Sequence, residues 1–149
     1  MRLSFIPVTD ENIETVSKLH VAPSQIGSVE TVAESYREAK ALPLWRPVAI
    51  LIDGDMVGFA MYGLWQHEGE RGRVWLDRFF IDERFQGRGY ARPVLKELLR
   101  VIRETYGYDE IFLSVYADNA VAIRLYESIG FQFNGELDIN DERVMVLYF

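Results

Sequence analysis

The spacing of apolar and polar residues along the chain predicts strands and helices in alternation. Short apolar runs, bounded by polar or glycine-containing turns, predict seven strands. These runs lie at residues 3–8, 48–53, 56–62, 74–81, 111–115, 131–133 and 144–149. The run at 74–81 shows little alternation between apolar and polar positions, which predicts a central strand with both faces covered.

Four helices are predicted where apolar residues recur every three or four positions. The first begins near Ile13, directly after a polar pair that can cap it. The second follows a cap at Ser28, with Glu30 and Glu34 in its early turns. Pro47 lies in the segment where the chain leaves that second helix.

The third helix carries the longest apolar stripe of the chain. The stripe consists of Ala91, Val94, Leu95, Leu98, Leu99 and Ile102. The fourth helix begins after an Asp118-Asn119 cap and ends at Gly130. The resulting order, β-α-α-β-β-β-α-β-α-β-β, describes a mixed α/β fold (α+β), and 149 residues predict a single domain over 1–149.

Composition and charge narrow the classes of function. The chain has no cysteine, which excludes disulfides, thiolate metal sites and a cysteine nucleophile. A net charge of −7 argues against a nucleic-acid binder and suits a small cationic partner. No apolar stretch approaches the ~18 residues of a membrane span, so we expect no membrane association and a cytoplasmic protein. His20 and His67 form no recognisable metal motif, so no metal is expected.

The segment from Phe79 to Ala91 carries the clearest chemical signal. A buried strand runs into a loop with Gly87 and Gly89, and the loop opens an amphipathic helix. Glycines allow close approach of a ligand, and free amides at a helix start attract anions, so the loop suits a pyrophosphate. Neither a P-loop nor a dinucleotide fingerprint fits, since the position of the third glycine holds Arg92. Taken alone, the loop also has a plain interpretation as a strand–helix turn.

Two motifs together resemble the GNAT superfamily of N-acetyltransferases. Gln86-x-x-Gly89-x-Ala91 resembles its acyl-CoA loop, and Asn119-x-x-Ala122-x-x-Leu125-Tyr126-x-x-x-Gly130-Phe131 resembles its second signature. The resemblance extends over nearly the whole chain. It implies a single GNAT domain, with a mixed central sheet flanked by helices, and acetyl-CoA as co-substrate.

A closer resemblance is to the bacterial spermine/spermidine N-acetyltransferases. Trp75-Leu76-Asp77-Arg78-Phe79-Phe80-Ile81 carries it, supported by residues 57–63 and 131–138. It implies transfer of acetyl to a primary amine of a polyamine, by direct attack in a ternary complex. Relatives of this branch are often dimers, so a homodimer is a further expectation.

The resemblance also implies which residues meet acetyl-CoA. The backbones of Phe79 and Ile81 would pair with the pantetheine arm, and the amides from Gly87 to Arg92 would hold the pyrophosphate. The full set implied is Phe79, Ile81, Gln86, Gly87, Arg88, Gly89, Tyr90, Ala91, Arg92 and Asn119. The side chains of Arg88 and Arg92 can add charge near the phosphates or simply be solvated, and Asn119 can serve as a helix cap.

Tyr126 and Asp77 are the implied catalytic residues. A phenol at Tyr126 can protonate or hydrogen-bond the departing thiolate, and a core aromatic would be the simpler interpretation only without the surrounding motif. Deprotonating an aliphatic ammonium at pH 7 costs ~4.6 kcal/mol, and the carboxylate of Asp77 can attract that cation and accept its proton. The alternative for Asp77 is an ion pair with Arg78 or Arg73.

Acidic residues are the expected contacts of a polycationic substrate. Asp77, Glu34 and Asp138 are the substrate-binding candidates, with Glu30 as a further one, and each can instead be solvated. Trp45 and Tyr36 can line a groove for the alkyl chain or belong to the core.

Other functions stay open at this point. The rivals are acetylation of peptide N-termini or of another small amine such as an aminoglycoside or amino acid, a non-catalytic CoA-binding regulatory module, and a plain structural domain. The last two lack a reason to carry both motifs together with Tyr126 and Asp77.

Overall fold

The computed structural model describes residues 1–23 and 29–149, and its centre is one mixed sheet. The strands are β1 (Leu3–Pro7), β2 (Trp45–Ile52), β3 (Asp55–Trp65), β4 (Arg73–Ile81), β5 (Glu110–Val115), β6 (Gln132–Leu137) and β7 (Arg143–Tyr148). The helices are α1 (Ile13–Val16), α2 (Val32–Ala41), α3 (Ala91–Tyr106) and α4 (Ala120–Ile129), with a short 3₁₀ turn at Glu83–Phe85. The sheet order is β1-β2-β3-β4-β5-β7-β6, which confirms the predicted mixed α/β fold.

Two apolar layers enclose this sheet. The stripe of α3 is buried against one face, together with apolar residues of α4, as its period predicts. Val16 of α1 and Val32 and Ala39 of α2 pack against the other face, over β1 to β4. β4 therefore lies in the middle of the sheet with helices on both sides, as its weak alternation indicates.

Several predicted boundaries are wrong by a few residues. Ser28 lies outside the described residues, and the observed cap of α2 is Thr31, so Glu30 precedes the helix. Trp45 and Pro47 belong to β2, where the carbonyl of Pro47 accepts a hydrogen bond from the amide of Val8 at 2.9 Å. A proline is tolerated there because the pairing of β2 with β1 ends at Val48, one residue before Pro47 is reached. β6 extends beyond the predicted 131–133, to Leu137.

β4 and β5 run parallel and separate toward their carboxyl ends. Their register contains the single pair Trp75 and Phe112, whereas β3 follows β4 up to Ile81 on the other side. The separation opens a gap in the middle of the sheet. In the described part of the chain, no helix is long and apolar enough to cross a membrane.

Candidate active site

The gap between β4 and β5 is a cleft of about 740 Å³. Two groups of residues that line it differ in character. The first, called the loop end, is Gln86, Gly87, Gly89, Tyr90 and Ala91; the second, called the acidic end, is Glu30, Glu38, Asp77, Asp138 and Glu142. Asp77 and Ile81 are four residues apart on β4, about 13 Å in an extended strand, which separates the two groups along the cleft.

The loop end is built from backbone. Gly87 and Gly89 have φ angles of +77° and +76°, and a Cβ at either would meet no atom within 4 Å. Their backbone conformation, and not crowding, therefore requires glycine. No side chain caps α3, whose first turn contains Pro93 and no acidic residue. This arrangement leaves amides at the helix start for an anion such as a pyrophosphate.

Two side chains brace the loop against the rest of the fold. The amide Nε2 of Gln86 donates to the carbonyl of Ile81 at 2.9 Å, which fixes the loop to the end of β4. Asp82 is fully buried and accepts hydrogen bonds from the amides of His20 and Arg84. Burial raises the pKa of Asp82, but these hydrogen bonds and Arg84 outweigh it, and its pKa is lowered. The start of the loop is therefore held in one conformation.

The side chains of Arg88 and Arg92 are not among those that line the cleft. Arg88 is exposed and lies over the ring of Phe85, 5.1 Å from its centroid. Arg92 donates from Nη2 to the carbonyl of Ser128 on α4 at 3.1 Å. These positions favour a solvated role for Arg88 and a link between two helices for Arg92.

The side of β4 that faces β5 offers backbone groups to the cleft. The amide of Asp82 donates to Val57 on β3 at 2.7 Å, so the backbone of Asp82 points toward β3. Because backbone groups alternate along a strand, those of Phe79 and Ile81 point the other way, toward the cleft. An extended chain placed there can pair with β4 as an additional strand would.

Asn119 and Tyr126 lie on the same face of α4, and both line the cleft. Asn119 caps the helix, because its Oδ1 accepts from the amide of Ala122 at 3.3 Å. The ring of Tyr126 packs edge-on against Phe131, and burial raises the pKa of its hydroxyl to about 12. Among the described residues that hydroxyl has no hydrogen-bond partner, so its proton is available to a group in the cleft.

A β-bulge sets the position of Asp77. Met61 is paired with Arg78 and Tyr62 with Leu76, so Asp77 is the additional residue on β4. Bulges of this kind redirect side chains. The side chain of Asp77 is 31% exposed and lines the cleft, whereas Arg78 is buried.

Arg78 joins three carboxylates of the acidic end. Its Nε lies 2.9 Å from Oε2 of Glu30 and 3.5 Å from Oδ2 of Asp77. Its Nη2 lies 2.6 Å from Oε2 of Glu38. The expected ion pair of Asp77 with Arg78 is therefore present, whereas Arg73 pairs with Glu136 instead.

Burial and neighbouring charges shift the pKa values of the acidic end. Burial raises the pKa of Asp77 to about 6, with Arg78 opposing the shift and Glu30, Glu38 and Asp138 adding to it. At neutral pH Asp77 is thus mostly ionised and close to the pKa range that suits a general base.

Asp138 and Glu142 form a carboxyl–carboxylate pair. Burial, followed by its hydrogen bond with Asp138, raises the pKa of Glu142 to about 7. Burial also raises the pKa of Asp138, but the hydrogen bonds with Glu142 and with backbone amides outweigh it, and its pKa is lowered. Ser114 donates to Glu142 at 3.1 Å. With a pKa of about 7, Glu142 is partly protonated near neutral pH, and an approaching cation favours its ionised form.

The structure does not bring every predicted residue to the cleft. Glu34 lies in a capping box with Thr31, to which its carboxylate is hydrogen-bonded, and it does not line the cleft. The hydroxyl of Tyr36 donates a hydrogen bond to the carboxylate of Asp10, and Tyr36 does not line the cleft. Trp45 does line the cleft, beside Trp65.

Two acidic residues of the cleft were missed from the sequence. They are Glu38, one helical turn after Glu34, and Glu142. The Thr31-x-x-Glu34 spacing is a capping-box signature. It could have indicated that the carboxylate of Glu34 caps the helix and that Glu38 is the better candidate for contact with a substrate. No local pattern marks Glu142.

A glycine-containing loop before a helix start, strand backbone facing a cleft and a protonated phenol in that cleft are features that suit a transferase acting on an acyl-CoA. Residues 12–131 match the sequence model described as the Acetyltransferase (GNAT) family. The chain belongs to the GNAT acetyltransferase family, and it is an acyltransferase that uses acetyl-CoA. The family expected from the two motifs is thereby confirmed.

Relatives and solved structures agree with this assignment. The chain is 46% identical to a Bacillus subtilis (strain 168) protein named spermine/spermidine N(1)-acetyltransferase, over 98% of each chain. It is 44% identical, over the same shares, to a probable spermine N(1)-acetyltransferase of Bacillus subtilis subsp. natto (strain BEST195). An aminoglycoside acetyltransferase in complex with coenzyme A superposes with a TM-score of 0.80 at 18% identity. That match covers 99% of this chain and 95% of the other, and it shows the shared fold.

Proposed function

We propose that this enzyme acetylates a primary amine of a polyamine such as spermine or spermidine. The observation that carries the proposal is the acidic end, where five carboxyl groups line one cleft and Arg78 is the one cationic side chain among the described lining residues. A flexible chain with several ammonium groups matches such a surface. The two Bacillus subtilis relatives, whose names contain spermine, support the same substrate class.

Acetyl-CoA supplies the acetyl thioester, and the loop end binds it. In this proposal the amides from Gly87 to Arg92 hold the pyrophosphate, and the outward backbone of Phe79 and Ile81 aligns the pantetheine arm. Asn119 contacts the cofactor at the start of α4. The loop thus fixes the thioester relative to the amine, and positioning supplies much of the rate.

Asp77 and Tyr126 are the proposed proton acceptor and donor. With a pKa of about 6, Asp77 is ionised at neutral pH and can take the ammonium proton directly or through water. Tyr126, with a pKa of about 12, stays protonated and can hydrogen-bond the thiolate as the C–S bond breaks, or protonate it and be reprotonated by the proton that the amine released. The acids of the acidic end, including Asp138, hold the remaining ammonium groups of the substrate.

Release of thiol from acetyl-CoA tests the proposal. The protein has no cysteine, so a thiol reagent reports CoA alone. We expect turnover with spermine and spermidine, less with the shorter diamine putrescine, and none with a peptide bearing a free N-terminus. Turnover with the peptide alone would replace the polyamine by a protein N-terminus, and binding of acetyl-CoA without turnover of any acceptor would favour a regulatory module.

A cytoplasmic location and a homodimer accompany this proposal as predictions. Gel filtration with light scattering checks the second.

A further inference from the structure

Arg78 is a buried cation surrounded by acids from separate parts of the chain. Its side chain is 6% exposed, whereas those of Glu30 and Glu38 are each 50% exposed. Glu30 precedes α2, Glu38 lies within it, and Asp77 is the bulged residue of β4. One guanidinium therefore connects the helical layer to the catalytic strand, at the floor of the acidic end.

Stability alone does not explain this residue. Burying a guanidinium costs desolvation energy, and a well-packed apolar side chain of similar volume is often as stable or more so. In addition, Nη1 of Arg78 is buried without a hydrogen-bond partner among the described residues, which adds a further cost. Such a cost is typical of residues retained for function.

We propose that Arg78 is a positioning residue that holds Glu30 and Glu38 toward the cleft and keeps Asp77 ionised beside them. This inference rests on the proposed function, in which Asp77 accepts the proton of a substrate ammonium group. Arg78 turns one oxygen of each glutamate toward itself, which fixes the two side chains for binding of a cation. The same guanidinium separates Asp77 from like charges.

The charges that face Asp77 determine the sign of the effect. Arg78 on β4 lowers its pKa, while Glu30 and Glu38 from the α2 side and Asp138 from the turn before β7 raise it. Without Arg78 the three carboxylates act unopposed, and the pKa of Asp77 rises. Fewer enzyme molecules then carry an ionised base at neutral pH.

Arg78→Met and Arg78→Lys test this role, with Arg73→Met as the matched control. Arg73 also lies on β4 and pairs with a glutamate, at 2.8 Å, but it does not line the cleft. For Arg78→Met we expect the acidic limb of kcat/KM for spermidine to move up by about one pH unit. At pH 6 the ionised fraction of Asp77 would fall from about one half to about one tenth, so activity should be about fivefold lower while KM for acetyl-CoA stays unchanged. Arg73→Met should keep the wild-type pH profile.

If Arg78→Met does not fold, Arg78→Lys and a direct titration of Asp77 test the role of Arg78 instead. Lysine retains the charge but lacks the planar fork, so it should keep most of the pH profile while KM for spermidine rises severalfold. Titration of the Asp77 carboxyl by NMR in the free protein measures its pKa independently of any acceptor. A folded Arg78→Met with wild-type KM for spermidine and an unshifted Asp77 would overturn the proposal. Where Arg78→Met does not fold, a wild-type KM for spermidine in Arg78→Lys would overturn it.

These measurements separate the two proposals from each other. If the wild-type enzyme acetylates no polyamine, the proposed function fails. The titration of Asp77 in the wild type and in the Arg78 variants still shows whether Arg78 changes the pKa of Asp77. If the wild type acetylates spermidine and both Arg78 variants behave like it, only the role of Arg78 fails.

Discussion

The loop end and the acidic end of the cleft are constructed in different ways. The loop end comes from one short segment, residues 86–91, and works mainly through its backbone. The acidic end is made of side chains from residues 30, 38, 77, 138 and 142, which only the folded chain brings together. A site made of consecutive backbone groups leaves a readable motif, whereas a site made of distant side chains does not. The family is thus easier to recognise than the substrate.

Among the changes considered, Asp77→Asn should lower the rate of acetyl transfer the most. It tests whether the acidic end takes part in proton transfer as well as in substrate binding. Loss of general-base help typically costs ~10²–10⁴-fold in rate. Because the pKa of Asp77 is about 6, wild-type kcat/KM should fall as the pH drops through that value. In the variant the break near pH 6 should disappear, and the remaining rise of kcat/KM with pH should follow deprotonation of the substrate amine. A rate–pH profile from pH 5 to 9 checks it, and an unchanged limb would assign the base to another group.

Tyr126→Phe removes the proposed proton donor and leaves the ring that packs against Phe131. We expect kcat to fall about 10²-fold, with acetyl-CoA binding nearly unchanged. Calorimetric titration with acetyl-CoA, next to steady-state turnover, separates the two quantities. Equal losses in binding and in turnover would instead indicate that Tyr126 shapes the loop end.

Gly89→Ala tests the loop end through its backbone. At φ +76° an alanine costs about 1–2 kcal/mol, so we expect KM for acetyl-CoA to rise about tenfold while kcat changes little. Gly54→Ala is the control, because Gly54 has φ +88° with equal free space in a turn that does not line the cleft. A similar KM in both variants would show that the loop conformation is not needed for binding.

Glu38→Gln and Glu34→Gln compare two acids one helical turn apart. Glu38 lines the cleft and Glu34 caps the helix, so only the first change should raise KM for spermidine, by about threefold. Added salt should shrink this difference, since half-exposed charges are screened. Equal effects of the two changes would contradict the distinction between them.

Local patterns predicted most of the fold. The period of α3 indicated its buried face, and the glycines at 87 and 89 indicated the loop between β4 and α3, although their positive φ angles were not predicted. The bulge at Asp77 was not predictable, because it depends on how β3 and β4 align over many residues. It also explains the weak alternation of β4, since Val74 and Leu76 share a core layer with Phe79 and Ile81 on the far side of the bulge.

The same limit applies to the charges of the site. Asp77 and Asp138 were predicted from the sequence, whereas the contacts of Arg78 with Glu30 and Glu38 join residues 40 or more positions apart, which no local pattern indicates. Glu34 was assigned to the substrate because charge alone does not tell a capping carboxylate from a free one. The hydrogen bonds between Glu34 and Thr31 show that this carboxylate caps the helix.

The outward backbone of β4 has a consequence for the protein before any reaction takes place. A strand edge with unpaired amides and carbonyls can pair with a strand of another chain and start aggregation. In this fold that side of β4 faces the cleft inside the sheet, where the proposed function has acetyl-CoA pair with it. At a concentration one hundred times its Kd, a ligand that binds only the folded state stabilises it by about 2.7 kcal/mol. In the proposed function acetyl-CoA therefore stabilises the folded chain as well as donating its acetyl group, and the midpoint of thermal unfolding should rise with its concentration.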